Sequence, residues 1–221
     1  MNNNFNEKNY SRKMPTDGAD KSRIDFILRN TPDNNLKILD LGCWDGSYAV
    51  RYRKKTNIIY GIEASATSAK RAQKKGIITK QGDFMDNNFF KKIKFDIVVA
   101  GEIIEHVFDT DLFLQKIYNM LKPHGRLVLT TPNVASLPRR LLLLFGKNPL
   151  LDNRITKNTA GHIRYFTFEG IYEILKDNGF KIIESQSDIL NFNNKGTIYS
   201  KLIPKLYKRF GKTIMITAEK I

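Results

Sequence analysis

Apolar segments of strand length alternate with segments of helical periodicity along most of this 221-residue chain. The strand-like segments are LKILDL (36–41), NIIYGIE (57–63), FDIVVAG (95–101) and RLVLTT (126–131). Strands that alternate with helices form βαβ units, whose strands are parallel and covered by helices on both faces. The pattern therefore predicts an α/β fold with a doubly wound, mostly parallel sheet.

Helices are expected between these strands, over 20–30, 46–55, 65–75 and from Asp109 or Thr110 to Leu121. A short strand at 77–81 and the strand 180–185, which follows a helix over 168–178, extend the sheet. No clear helix separates 180–185 from the final strand at 212–219. A parallel connection requires such a crossover, so the last of the seven strands is predicted to be antiparallel.

The length favours a single domain. Residues 1–17 are Asn-rich without periodicity and are expected to form a flexible arm, which leaves 18–221 as the domain. Two irregular segments, at about 132–166 and 186–211, are longer than ordinary loops and are candidate functional insertions. The single cysteine excludes a disulfide framework, and no segment resembles a secretory signal or a membrane span. We therefore expect a cytoplasmic protein.

The charge is unusual, with a formal net value of +15. Residues 134–168 carry +5 and residues 195–221 carry +6, so most of the excess lies in and beside the two insertions. A basic excess of this size favours binding of phosphates, anionic lipid or acidic substrates. The alternative interpretation is a solvated, lysine-rich surface.

A glycine-containing loop follows the first strand and reads Gly42-Cys43-Trp44-Asp45-Gly46. Glu63 ends the next strand, at the distance where many nucleotide-binding folds place the acid that holds a ribose diol. Trp44 and Ser47 stand where dinucleotide folds need glycine, which argues against NAD. An adenosine ligand without phosphate, S-adenosylmethionine, is favoured; the alternative is that Gly42 and Gly46 only make a tight turn.

These residues resemble the class I S-adenosylmethionine-dependent methyltransferases. LKILDLGCWDG is similar to their first motif except at Trp44, and YGIEAS and QGDF are similar to their ribose and adenine segments. The segments FDIVVAGEIIEHVFDTDLFLQKIYNMLKPHGRLVLTTPN and GHIRYFTFEGIYEILKDNGF resemble the ubiquinone-O-methyltransferase-like branch. The resemblance covers about 20–185 and implies cofactor contacts from Asp40, Gly42, Cys43, Trp44, Gly46, Glu63, Ala64, Asp83, Phe84 and Glu102.

The polar loop 101–106 is the main candidate for catalysis. Glu105 and His106, together with His162, are the expected catalytic residues, because a carboxylate or imidazole can accept the proton of an acceptor hydroxyl. The resemblance also allows a divalent metal at Glu102, Glu105 and His106, although a metal-free site is favoured. One of the adjacent residues Glu105 and His106 could instead cap the next helix, and His124 is interpreted as a surface turn residue.

The expected substrate rim consists of Arg139, Arg140, Tyr165, Lys205 and Lys208. The apolar run 141–145 is interpreted as a buried lid or a membrane-interface segment, and residues 201–212 as a second basic amphipathic helix. These features predict O-methylation of an anionic or membrane-associated acceptor: a glycan precursor, a sugar nucleotide or a prenylated quinone-like molecule. Peripheral contact with an anionic membrane is expected.

Two alternatives remain open. One is an RNA-directed methyltransferase, although no Asn/Asp-Pro-Pro-aromatic motif follows the fourth strand, which counts against methylation of base amino groups. The other is a non-catalytic protein that binds the cofactor or docks a partner. Nucleic acid is the less favoured partner, and the sequence predicts no particular oligomeric state.

Overall fold

A computed structural model describes residues 18–86, 89–149, 161–192 and 198–221. The predicted arm over 1–17 lies outside the described residues, as do parts of both predicted insertions.

A central seven-stranded sheet organises the molecule, in the order β3-β2-β1-β4-β5-β9-β6. Strands β1 to β5 are paired in parallel, whereas β9 is antiparallel to both of its neighbours, β5 and β6. The predicted α/β class and the antiparallel last strand are therefore confirmed. The strands are β1 (Lys37–Leu41), β2 (Ile58–Glu63), β3 (Ile78–Gln81), β4 (Phe95–Gly101), β5 (Leu121–Pro132), β6 (Phe180–Ser187) and β9 (Thr213–Lys220).

Helices cover both faces of the sheet and create two apolar cores. One core packs α4 (Thr110–Met120) and α6 (Phe168–Asp177) against strand residues such as Leu39 and Leu129. The other core packs the helices that lie near the beginning of the chain against the alternate strand residues, among them Ile38 and Val128. These helices are α1 (Gly18–Asn30), α2 (Ala49–Tyr52) and α3 (Ala66–Lys74). Burial on both faces explains why the strand segments are almost continuously apolar.

Helix caps lie where the sequence indicates them. Asp109 accepts a hydrogen bond from the backbone N–H of Leu112 and begins α4, and Thr167 accepts one from Gly170 and begins α6. A side-chain oxygen at this position satisfies a backbone donor that has no partner within the helix. Caps at both helices orient the loops that precede them, which belong to the candidate site.

Three predicted elements differ in the structure. The helix expected over 46–55 is only the four residues of α2, because Lys54 takes a left-handed conformation (φ +44°) that a helix does not continue through. The basic helix expected over 201–212 is divided into α7 (Leu202–Leu206) and a short 3-10 turn at Lys208–Phe210, because Tyr207 has an extended φ of −129°. Strand β5 begins at Leu121 instead of the expected 126, and residues 122–125 form a bulge within its pairing with β4.

The insertions contain secondary structure of their own. Helix α5 (Leu137–Leu144) lies in the first, and the second contains α7 and the short strands β7 (Leu190–Asn191) and β8 (Tyr199–Ser200). Asn133 joins the two insertions, since its buried amide donates to the carbonyl oxygens of Arg209 (3.0 Å) and Gly211 (2.9 Å). The end of β5 is thus tied to the segment that leads into β9.

Candidate active site

The carboxyl ends of the parallel strands collect the polar residues singled out in the sequence, as expected for ligand sites in open α/β sheets. Gly42 begins the loop after β1, with φ +65°, and a Cβ atom there would lie 2.4 Å from Cδ1 of Ile103. Gly46 has φ +76°, and its Cβ would lie 3.0 Å from the Cα atom of Ala72. Both positions therefore need glycine for the turn itself, whether or not a ligand approaches.

Glu63 connects this loop to the end of β2. Its Oε2 accepts a hydrogen bond from the backbone N–H of Trp44 (2.8 Å), and its Oε1 accepts one from the N–H of Ser65 (2.8 Å). Trp44 has a left-handed φ of +49°, a conformation that costs a non-glycine residue energy and that the surrounding contacts must maintain. A carboxylate offers about four acceptor positions, so these two hydrogen bonds do not by themselves occupy all of those on Glu63.

The side chains beneath the loop are buried and polar. Asp40 accepts a hydrogen bond from the hydroxyl of Tyr52, and both side chains are almost completely inaccessible to water. Burial, and next the negative charge of Glu63, raise the pKa of Asp40 to about 7 despite that hydrogen bond. Cys43 packs against Gly61, and burial raises the pKa of its thiol, so it is not a reactive nucleophile at neutral pH.

The end of β3 lies beside Glu63, because the N–H of Gly82 donates to the Glu63 carbonyl oxygen (2.9 Å). Asp83 accepts a hydrogen bond from the N–H of Met85 (2.8 Å), while Phe84 packs edge-on against Phe113 in the core. Ala64 contributes a carbonyl oxygen that accepts from the side-chain amide of Gln81 (3.1 Å). These contacts bring the predicted cofactor residues of β2 and β3 to one edge.

Glu102 follows β4 and has a contact that sequence reasoning missed. Its φ is +56°; its Oε1 accepts a hydrogen bond from Thr130 (2.9 Å), and its Oε2 lies 3.2 Å from the guanidinium of Arg23 on α1. The first helix thus reaches over the sheet edge. No local pattern around Arg23 indicates this pairing, which depends on the packing of α1 on the sheet.

Glu105 is 1% exposed and lies within the cluster of candidate catalytic residues. Its Oε2 accepts a hydrogen bond from Thr131 (3.0 Å), whereas its Oε1 has no hydrogen-bond partner among the described residues and lies 3.9 Å from Nε2 of His162. Burial, together with the charge of Glu102, raises the pKa of Glu105 well above its ordinary value. An unsatisfied buried carboxylate oxygen indicates a place for a proton or a cation.

His106 and His162 complete the cluster, with ring centroids 4.9 Å apart. Nδ1 of His106 lies 3.2 Å from the carbonyl oxygen of Gly161, which can only accept, so this nitrogen carries the proton and Nε2 carries the lone pair when the ring is neutral. The structure therefore brings together all three predicted catalytic residues, Glu105, His106 and His162. Glu105 and His106 belong to a 3-10 turn (Ile104–His106). The cap of α4 is Asp109, so neither of these two residues has the capping role considered from the sequence.

The same cluster fits a metal ion by the nature of its donor atoms. One donor atom from each of Glu105, His106 and His162 lies within 4.8 Å of the others, and the unpartnered Oε1 of Glu105 is one carboxylate oxygen available for coordination. Glu102, expected in such a set, interacts instead with Arg23 and Thr130. Imidazole and carboxylate ligands are typical of zinc and of other first-row divalent ions.

The predicted rim residues have different surroundings. Arg139 is partly buried: its guanidinium donates to the Asn133 carbonyl oxygen (2.7 Å), and burial lowers its pKa while nearby Tyr165 and Glu102 act to raise it. Lys208 stacks on the rings of Phe168 and Tyr172 and donates to Ser185 (2.6 Å), so this amine packs against the body of the domain. By contrast, Arg140 and Lys205 are exposed.

Comparisons with known proteins show the family to which the chain belongs. A family model described as a methyltransferase domain matches residues 10–185. The bovine mitochondrial ubiquinone biosynthesis O-methyltransferase is 28% identical over 160 residues, which cover 68% of this chain and 43% of the relative. The corresponding enzyme of Rickettsia prowazekii is 26% identical over 180 residues, covering 76% and 70%. The chain spans about half the length of the mammalian relatives that it matches.

Solved structures share the fold at low sequence identity. An S-adenosylmethionine-dependent methyltransferase from Thermotoga maritima has a TM-score of 0.64 at 19% identity and covers 92% of this chain and 90% of its own. Magnesium protoporphyrin IX methyltransferase from Synechocystis, solved with bound S-adenosylhomocysteine, has a TM-score of 0.63 at 17% identity and covers 96% and 91%. The chain belongs to the class I S-adenosylmethionine-dependent methyltransferases, and its cofactor is that of the family.

We expect Glu63→Ala to weaken the binding of S-adenosylhomocysteine by about 2–4 kcal/mol, or roughly 30- to 1000-fold, because two charge-assisted hydrogen bonds to the ribose are lost. Isothermal calorimetry measures the affinity, with Glu173→Ala on the exposed face of α6 as the control. Equal affinity in the two variants would contradict the assignment of Glu63 to the ribose.

Asp40→Asn is expected to change the pH dependence of stability. A carboxyl whose pKa is higher in the folded chain binds its proton more tightly there, so the fold loses stability as the pH rises from about 4 to about 7. Asparagine at position 40 cannot ionise, so the variant does not lose this stability. Between about pH 4 and about pH 7, the difference in free energy of unfolding between variant and wild type should therefore shift in favour of the variant by up to about 4 kcal/mol. Urea unfolding at a series of pH values tests this, with Asp25→Asn on α1 as the control; parallel curves for wild type and Asp40→Asn would refute it.

Proposed function

We propose that this protein transfers the methyl group of S-adenosylmethionine to a hydroxyl oxygen of a small, phenolic, quinone-like acceptor. The observation that carries the proposal is the Glu105–His106–His162 cluster, in which a buried carboxylate with an unpartnered oxygen lies against two imidazoles. An O-methyltransferase needs a group that accepts the hydroxyl proton, and histidine is the side chain most often used for it near neutral pH.

The reaction is an in-line displacement at the methyl carbon. The acceptor oxygen forms a bond to that carbon, the bond from carbon to sulfur breaks, and its electron pair stays on the sulfur of S-adenosylhomocysteine. The hydroxyl proton passes to one of the two histidine rings, because His106 and His162 are the partly accessible members of the cluster. Glu105 lies behind them, with its Oε1 3.9 Å from Nε2 of His162. Because burial raises the pKa of Glu105, its protonated form is favoured, and its role is to position the histidine and not to supply a negative charge.

Positioning provides the remaining part of the rate enhancement. The cofactor loop after β1 and the cluster after β4 lie on neighbouring strands, since β1 pairs with β4 in parallel register. Holding the two reactants in line can contribute several kcal/mol by removing the entropy of their encounter. Arg139, partly buried near Tyr165 and Glu102, adds a cation that suits an acceptor bearing a negative charge.

The relatives support the acceptor class. Eight curated relatives with significant similarity, from mammals and bacteria, are named as ubiquinone biosynthesis O-methyltransferases. A glycan or sugar-nucleotide acceptor, expected equally from the charge alone, is not named among these eight relatives. The cluster also favours an enzyme over a protein that only binds the cofactor, because binding alone does not require a buried Glu–His–His arrangement.

A divalent cation is the second candidate for activating the acceptor. Glu105, His106 and His162 would hold it, and a cation bound there would lower the pKa of the acceptor hydroxyl. The unpartnered oxygen of Glu105 favours this candidate as well as proton transfer, so the two are separated by experiment.

Glu105→Gln and His162→Gln should each lower turnover by about 10²- to 10⁴-fold, because the proton acceptor or the carboxyl group that lies against it is lost. The affinity for S-adenosylhomocysteine should stay unchanged in both. Transfer of a tritiated methyl group to a prenylated catechol measures turnover, and His124→Gln, at an exposed histidine, is the matched control.

Turnover near the wild-type level in both variants would contradict a role of the cluster in catalysis. Loss of wild-type turnover on treatment with a chelator, with recovery on addition of Mg²⁺, Mn²⁺ or Zn²⁺, would assign the cluster to a cation. Failure to methylate the prenylated catechol, with activity on RNA, would replace the proposed acceptor class.

A further inference from the structure

We propose that α5 with Phe145 and α7 with Tyr207 together form a face that binds an anionic lipid bilayer. We call this set of residues the docking face. The proposal goes beyond methyl transfer, since a bilayer can be bound without cofactor or turnover. It rests on three properties of the described residues: exposure of large apolar side chains, contact between the two segments, and charge.

Apolar side chains of the docking face are strongly exposed. Leu143 is 65% exposed, and Leu144 and Phe145 are each 74% exposed. Helix α5 has no buried residue, and α7 adds Leu206 at 68% with Tyr207 at 64%. Single exposed leucines are ordinary on protein surfaces, but adjacent large ones mark an interaction site. The alternative of a lid buried over the site, considered from the sequence, does not agree with this exposure.

The two segments of the docking face are connected through the turn that follows α7. The guanidinium of Arg140 on α5 stacks on the ring of Phe210, 5.5 Å from its centroid, in the turn that follows α7. Asn133, just before α5, donates its side-chain amide to carbonyl oxygens of that same turn. Helix α5 is therefore joined to the turn that follows α7, although Arg140 and Phe210 lie 70 residues apart in the sequence.

Cations surround these apolar side chains without acidic residues among them. Residues 134–149 and 198–212 contain eight lysines and arginines and no aspartate or glutamate. Arg140, Lys147, Lys201 and Lys205 are exposed, whereas Arg209 pairs with Glu169 and Lys208 is held against α6. A helix with leucine and phenylalanine beside basic residues is typical of segments that lie in the interface of an anionic bilayer.

A bilayer fits the docking face better than RNA or a second protein. Phosphate recognition by RNA-binding proteins uses cations and stacked aromatic rings and does not need a row of exposed leucines. Protein interfaces are depleted in lysine at their centres, whereas here lysines lie beside the leucines. Among the described residues no helix is long and apolar enough to cross a membrane, and α5 would extend only about 12 Å. The contact is therefore with the surface of the bilayer.

Vesicle sedimentation with the full chain and no methyl donor tests the proposal. We expect binding to vesicles of equal parts phosphatidylglycerol and phosphatidylcholine, weaker binding at high salt, and little binding to phosphatidylcholine alone. Lys201→Glu/Lys205→Glu should weaken the binding at least about tenfold, because about two cation contacts become repulsive. Leu143→Ser/Leu144→Ser should weaken it by a similar factor, because the apolar contact with the acyl chains is lost.

Lys91→Glu/Lys92→Glu is the matched control, since it changes the net charge equally at exposed positions before β4, on the opposite edge of the sheet. Thermal unfolding checks that all three double variants fold.

Equal vesicle binding by the Lys201/Lys205 variant and the control variant would overturn the proposal, and so would an unaffected leucine variant. Binding of mixed transfer RNA that depends on Lys201 and Lys205 but not on the leucines would assign the face to nucleic acid instead. A dimer that the leucine variant abolishes would assign it to a second copy of the chain.

The vesicle assay measures binding and not turnover. If the protein does not bind vesicles, the docking face is contradicted, while the proposed methyl transfer is still tested by the turnover assay alone. Conversely, vesicle binding with no methylation of the prenylated catechol would support the docking face and contradict the proposed acceptor.

Discussion

The two hydrogen bonds to Glu63 are the interaction on which the candidate site depends. One carboxylate binds the backbone N–H of Trp44 in the loop after β1 and that of Ser65 at the beginning of α3. Without these bonds, one buried and one half-buried backbone donor would lose a partner, at a cost of up to about 1–3 kcal/mol each. The left-handed conformation of Trp44 is maintained by the same contact, so the shape of the cofactor loop and the position of the acid are determined together.

Buried carboxyl groups give the candidate site its chemical character. Asp40, Glu63 and Glu105 are all nearly inaccessible to water, and burial raises the pKa of Asp40 and of Glu105. The fold keeps these groups at a cost in stability, which is common where binding or catalysis needs them. At Glu105 the cost is only partly offset by Thr131, which is why we assign a proton or a cation to its other oxygen.

Local patterns predicted the fold well, because burial on both faces of a parallel sheet leaves a clear apolar signature in each strand. Capping depends on neighbouring residues only, so the polar side chains of Asp109 and Thr167 at the helix starts are local signals as well. The prediction of a long basic helix over 201–212 was wrong because its periodicity continues through Tyr207 while the backbone does not. The pairing of Arg23 with Glu102 joins residues far apart in the chain and depends on helix packing, which a single sequence does not encode locally.

The end of β5 contacts both the candidate active site and the docking face, through residues only two positions apart. Thr131 bonds to Glu105 in the candidate site, and Asn133 holds the turn that joins the two halves of the docking face. Thr131 pairs with Ile214 of β9, and Pro132 with Thr213. Thr131 and Asn133 are two residues apart and therefore lie on the same side of the chain, so a slip of one residue in this register would remove both contacts at once. The alignment of β5 with β9 thus sets the distance between the proposed docking face and the Glu105–His106–His162 cluster.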